Sequence, residues 1–85
     1  MICFRKRAWE DYLYRQQTDK SMLKRINTLI KDIQRTPFTG LGKPEPLKHQ
    51  FTGLWSRRIN DEHRLVYTFM AEELIIVQCR YHYQE

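Results

Sequence analysis

Glu45 lies between two prolines in Gly42-Lys-Pro-Glu-Pro-Leu-Lys-His49, and His82 lies in Cys79-Arg-Tyr-His-Tyr83. A carboxylate whose backbone is restricted by proline on both sides, with Lys43, Lys48 and His49 around it, suits a general base. An imidazole suits a general acid. Arg58 and Arg64 add guanidinium groups for an anion. Such a set is what RNA cleavage without a metal requires. A base takes the proton of the 2′-OH, whose oxygen attacks the adjacent phosphorus in line. An acid protonates the departing 5′ oxygen, and cations stabilise charge on the phosphoryl oxygens. DNA lacks that nucleophile, so the mechanism selects RNA. Spacing alone fits an exposed ion pair at Glu45 and solvated cations elsewhere equally well.

These residues are spread from position 45 to position 82, so a fold must gather them. Ile2–Arg5 has β character. Arg7–Gln17 carries Ala8, Trp9, Tyr12 and Leu13 at helical spacing. Thr18 or Asp19 caps a second helix whose stripe is Met22, Leu23, Ile26, Leu29, Ile30 and Ile33, and Thr36-Pro37 stops it. Residues 37–53 read as a long loop, uncommon in a compact domain and often functional. Three β runs follow, Leu54–Ile59, His63–Met70 and Leu74–Tyr83, joined by tight turns that favour antiparallel hairpins. The expected fold is α+β, β-α-α-β-β-β, with the two helices packed on one face of a small, mainly antiparallel sheet.

Side chains alternate across a strand. Trp55 and Ile59 oppose Ser56 and Arg58, while Leu65, Tyr67 and Phe69 oppose Arg64, Val66 and Thr68. In the last strand Ile75, Val77, Cys79, Tyr81 and Tyr83 are expected on one face, with Leu74, Ile76, Gln78, Arg80 and His82 on the other. The face away from the helices is then expected to gather Arg58, Arg64, Arg80 and His82; the plainer reading is a solvated sheet surface.

With 85 residues the chain has room for one domain, 1–85, and a thin core. Lys and Arg number 15 against 10 Asp and Glu, a formal +5 that suggests an anionic partner, nucleic acid before membrane. Residues 1–35 carry +5, residues 36–70 carry +2 and residues 71–85 carry −2. No apolar run approaches a membrane span and the first residues lack a secretory segment, so the chain is expected to be cytoplasmic. Cys3 and Cys79 match no metal spacing and read as reduced, buried hydrophobes; no metal or cofactor is expected.

Three stretches carry a resemblance: Trp9-Glu-Asp-Tyr12; Thr36-Pro-Phe38 with Gly42-Lys-Pro-Glu-Pro-Leu-Lys-His49; and Trp55-Ser-Arg-Arg-Ile59, Glu62-His-Arg-Leu-Val-Tyr67 and Cys79-Arg-Tyr-His-Tyr83. From Trp9 to Tyr83 the sequence resembles the YoeB (Txe/YoeB) toxins of the RelE superfamily. The resemblance implies a microbial-ribonuclease-like, RelE-like fold and a toxin of a type II toxin–antitoxin system that enters the ribosomal A site and cuts mRNA there. It puts the general base on Glu45, the general acid on His82, the transition-state arginine on Arg64 and a C-terminal tyrosine on Tyr83. Lys48 and Arg58 fall on positions that handle the RNA backbone. The implied partners are the ribosome and mRNA, a YefM/Phd-like antitoxin, and a second copy in a homodimer. Two departures stand out: Gln84-Glu85 follow the Tyr-His-Tyr motif, and Arg5-Lys6-Arg7 opposes the dipole of the first helix.

Other readings remain at this level. A noncatalytic basic module that binds the ribosome or RNA accounts for the +5 and the aromatics. A relative of the ParE branch, acting on DNA gyrase, would not need Glu45 and His82.

Overall fold

The second helix, α2 (Lys20–Arg35), buries Ile26, Leu29, Ile30 and Ile33 on the expected stripe. Asp19 caps it, its side chain accepting the Met22 N–H at 3.0 Å. At the other end the Thr36 N–H bonds to the Asp32 carbonyl before Pro37 ends the helix. Helix α1 (Lys6–Thr18) has no side-chain cap. Its start is tied to the sheet instead, because the Arg5 N–H donates to the Ile76 carbonyl at 2.9 Å. The buried residues of α1 are Ala8, Asp11 and Arg15. Trp9 and Leu13, expected inward, stay partly exposed. Trp9 lies flat on Tyr12, with ring centroids 5.9 Å apart, and Phe4 meets both rings edge-on. The small Ala8 side chain lets the helix approach the sheet closely there.

The computed structural model describes residues 1–81. Its strands are β1 (Ile2–Phe4), β2 (Glu45–Pro46), β3 (Trp55–Arg58), β4 (Arg64–Met70) and β5 (Glu73–Gln78), with a 3₁₀ turn at His49–Phe51. They form one sheet in the order β1-β5-β4-β3-β2. β1 runs parallel to β5 and the other pairs are antiparallel, so the sheet is mixed but mainly antiparallel. The α+β outline is as expected, with one addition: the long loop supplies the edge strand β2. Proline on both sides of Glu45 is tolerated there because an edge strand can lack a donor.

The core joins Ala8, Ile26, Leu29, Ile30 and Ile33 from the helices to Ile59, Leu65, Tyr67, Leu74, Ile76 and Cys79 from the sheet side. The alternation expected for β3 and β4 holds, whereas that for the last strand needs correction. Leu74 and Ile76 face the helices, and Ile75 and Val77 are only half-buried. Tyr67 pairs with Ile76 but Val66 pairs with Gln78, so Val77 is an extra residue in a β-bulge. The bulge resets the alternation, which is why Cys79 still points into the core. The opposite face is not a plain solvent surface, since Ser56, Val66, Thr68 and Gln78 are buried.

A guanidinium also penetrates this core. Arg57 is 0% exposed. Its Nε donates to the Tyr67 hydroxyl at 3.2 Å, and Nη1 to the Asp32 carboxylate at 2.5 Å and the Leu41 carbonyl at 3.1 Å. Nη2 donates to the Thr36 and Thr39 carbonyls at 2.6 and 2.8 Å. The Tyr67 hydroxyl in turn donates a hydrogen bond to the Pro37 carbonyl at 2.6 Å. Burial raises the Tyr67 pKa, which keeps that donor protonated. Asp32 also accepts the Leu41 N–H, and this bond together with Arg57 holds its carboxyl below the ordinary 3.8.

Arg57→Leu leaves several buried acceptors unpaired and is expected to lower unfolding free energy by about 3–5 kcal/mol, read from denaturant midpoints. The depressed Asp32 pKa adds stability above the ordinary aspartate value, lost as pH falls below about 4 through the folded pKa. Asp11, raised mainly by burial, acts in the opposite sense: its contribution is lost as pH rises through its folded pKa. Thermal melts at stepped pH should therefore show a shallower acid loss for Asp32→Asn than for the wild type.

Candidate functional site

The loop from Thr36 to Leu41 is wired to Arg57, and Gly42 carries that anchoring toward Glu45. The Gly42 carbonyl accepts the Arg58 N–H at 2.7 Å. Gly42 has φ +78°, and a Cβ there would sit 3.0 Å from both the Arg58 carbonyl oxygen and a Leu29 methyl. Only glycine fits so close a crossing of loop and strand at this dihedral. Beyond it, Glu45 pairs with Ser56 and Pro46 with Trp55. Leu47 is buried, and its N–H donates to the Leu54 carbonyl at 2.9 Å. Glu45 is thus fastened on both sides while remaining exposed.

The sheet register brings three of the expected residues onto one face. Residues paired across antiparallel strands share a face, so Glu45 lies with Ser56, Val66 and Gln78 in a row across β2, β3, β4 and β5. Arg58 and Arg64 are direct partners in the next row on that face. Arg58 lies two steps along β3 from Ser56, the partner of Glu45, about 7 Å of strand. Lys48 follows the buried Leu47 and is exposed just before the 3₁₀ turn.

The two arginines differ in environment. Arg58 is exposed. Arg64 is 9% exposed, and its Nη1 donates to the carbonyls of Asn60 at 2.7 Å and His63 at 3.1 Å. The turn before β4 therefore builds a cradle for its guanidinium. Asn60 shapes that turn, its side-chain oxygen accepting the N–H groups of Glu62 and His63 at 2.9 and 2.7 Å.

Arg80 does not join this face. Its guanidinium carbon lies 3.6 Å from the centroid of the Tyr14 ring and 4.6 Å from that of Tyr81, so it is drawn to α1. β5 ends at Gln78, and the simple alternation no longer applies beyond it. His82 and Tyr83, expected as general acid and C-terminal tyrosine, lie outside the described residues. Among the described residues no group of three or more His, Cys, Asp or Glu side chains could hold a metal ion. Burial pushes the Cys79 thiol up to about 12, so it is not a nucleophile at neutral pH.

Sequence reasoning missed Arg57, Asp32 and His63. Arg57 could have been found by parity, since it alternates inward with Trp55 and Ile59 and a buried guanidinium demands a carboxylate partner. Asp32 and the loop carbonyls had no such signal, because nothing local links position 32 to position 57.

Comparison with known proteins gives the family and agrees with the fold. A family model described as "YoeB-like toxin of bacterial type II toxin-antitoxin system" matches residues 4–83. Toxin YoeB of Synechocystis sp. is 61% identical over 83 residues, covering 98% of this chain and 96% of that protein. A YoeB/ParE toxin structure from Agrobacterium tumefaciens superposes with TM-score 0.94 at 49% identity, covering 96% and 98% of the two chains. The YoeB chain of a heterotetrameric YoeB-YefM toxin-antitoxin complex from Staphylococcus aureus gives TM-score 0.92 at 54% identity, covering 98% and 97%. A YoeB dimer from Staphylococcus aureus gives 0.90 at 54%, covering 96% and 95%.

Because Gly42 holds loop against strand, Gly42→Ala is expected to destabilise the fold by roughly 1–3 kcal/mol. Hydrogen exchange should localise the damage: the Arg58 amide loses protection while the Tyr67 amide keeps it.

Proposed function

The chain belongs to the YoeB-like toxins of bacterial type II toxin–antitoxin systems, and from that membership we propose that it is an endoribonuclease that cuts mRNA in the ribosomal A site and so stops translation. The observation that carries this reading is the shared sheet face of Glu45, Arg58 and Arg64. Glu45 takes the proton of a 2′-OH, and that oxygen attacks the neighbouring phosphorus. The bond to the 5′ oxygen breaks as His82 protonates it, leaving a 2′,3′-cyclic phosphate and a 5′-hydroxyl. Arg64, already fixed by the Asn60 and His63 carbonyls, stabilises charge on the phosphoryl oxygens with little reorganisation. Lys48 and Arg58, both exposed, hold the RNA backbone, and Tyr83 assists beside His82. The chemistry asks for no cofactor.

The excess of cations in residues 1–35 suits docking on ribosomal RNA, which then supplies the substrate alignment that a small domain lacks. The Staphylococcus aureus complex supports a YefM/Phd-like antitoxin as partner, and the dimer from the same organism supports a homodimer. A basic toxin complements an acidic antitoxin segment. No helix among the described residues is long and apolar enough to cross a membrane, in keeping with action in the cytoplasm, where ribosomes are.

The test is a purified translation system with a programmed ribosome. Wild type should yield cut mRNA with a 2′,3′-cyclic phosphate end. Glu45→Gln should slow single-turnover cutting by about 10²–10⁴-fold with ribosome binding retained. Arg58→Ala should weaken binding and flatten its dependence on salt. Intact mRNA beside a folded, ribosome-bound wild type would overturn the reading and leave a noncatalytic ribosome-binding module in its place.

A further inference from the structure

We infer that His63 is a positioning residue, whose imidazole fixes the backbone of Tyr81, the residue that precedes His82 in the chain; the inference rests on the acid role given to His82 above. His63 is 8% exposed. Its Nδ1 accepts the Tyr81 N–H at 2.7 Å. A ring nitrogen that accepts is unprotonated, so neutral His63 carries its proton on Nε2. The Tyr81 carbonyl is taken as well, by the Arg64 N–H at 3.0 Å and by the Gln78 side-chain amide at 3.2 Å. Both backbone groups of Tyr81 are thus bound, although the β4–β5 ladder ends at Gln78. Tyr81 has φ +66°, a left-handed conformation that a residue with a side chain avoids unless its surroundings impose it.

His63 is itself held firmly. Its N–H donates to the Asn60 side chain at 2.7 Å and its carbonyl accepts the Ile59 N–H at 3.0 Å. That same carbonyl accepts Nη1 of Arg64 at 3.1 Å. One residue therefore fixes the arginine of the site through its carbonyl and the segment leading to the acid through its ring. A loop fastened by the Arg57 guanidinium carries the base, and this imidazole clamp holds the residue that precedes the acid. Nothing in acid–base chemistry requires a second histidine at position 63, but a rigid acceptor aimed at a strained N–H accounts for it.

The experiment compares wild type, His63→Phe, His63→Asn and a semisynthetic protein in which an ester replaces the Arg80–Tyr81 amide, assembled by ligation at Cys79. Asn places an oxygen acceptor near the position of Nδ1, whereas Phe keeps ring volume without an acceptor. The ester deletes the Tyr81 N–H and leaves every side chain intact. Two readouts are taken on folded protein: hydrogen exchange of the Tyr81 amide in the three genetically encoded proteins, and single-turnover mRNA cutting in all four. Phe should lower Tyr81 protection at least about tenfold and cutting by about 10²-fold, the scale for a misplaced catalytic group. The ester should lower cutting similarly, and Asn should restore most of both quantities. Unchanged Tyr81 protection in His63→Phe, or wild-type cutting by the ester protein, would overturn the clamp with the proposed function intact. Equal losses in Phe and Asn would also overturn it, since the acceptor would then not be what matters. A wild type that cuts nothing would instead refute the proposed function, and the Tyr81 amide alone would then decide whether the clamp exists.

Discussion

A guanidinium buried without water must find acceptors in the protein, and this demand at Arg57 organises the molecule. The acceptors come from the end of α2 (Asp32 and Thr36), from the following loop (Thr39 and Leu41) and from β4 (Tyr67). None of these segments can shift without exposing a buried polar group. The loop is therefore specified by one side chain from another part of the chain, and Gly42 and Glu45 follow from where it is tied. A long loop ordinarily belongs to the least stable part of a domain. Here its root is fastened into the core, while Glu45, Lys48 and Arg58 stand exposed at the surface.

Much of this was legible in the sequence wherever a local pattern had a local cause. The α2 stripe, its Asp19 cap and its Pro37 stop are settled within a few residues, and all three stand. So does the two-face alternation of β3 and β4, which placed Arg58 and Arg64 together before any register was known. The motifs around Glu45 and in the last strands carried the family. What was not legible is long-range. The inward place of Arg57 depends on residues 16 to 25 positions away. The burial of α1 departs from its apolar spacing because a small Ala8 packs inward and Trp9 finds Tyr12 and Phe4 outside. The last strand misled because alternation counts residues, and a bulge breaks the count.

The site divides its cations by environment. Arg64 sits in a cradle of turn carbonyls, while Arg58 and Lys48 remain in solvent. A fixed guanidinium stabilises charge at one place without first having to be ordered, and exposed ones attract and follow a flexible backbone. Arg80 falls in neither group; held over Tyr14, it joins the C-terminal segment to α1. Four arginines within the last 29 residues thus have different environments, set by burial and partners rather than by residue type.

The extra residue at Val77 makes chain length itself part of the design. Upstream, β5 is phased by the core through Leu74 and Ile76; downstream, the segment is phased by the partners of Tyr81. The bulge is the joint at which these two countings are reconciled. Without Val77, Ile76 would still lie opposite Tyr67 and Gln78 opposite Val66, so the ladder would close into a regular one with the Gln78 amide outward and the Cys79 thiol inward. An omission between Gln78 and Tyr81 would instead carry Tyr81 off the nitrogen that holds it. Length is therefore strict on either side of the joint and slack only at the joint itself.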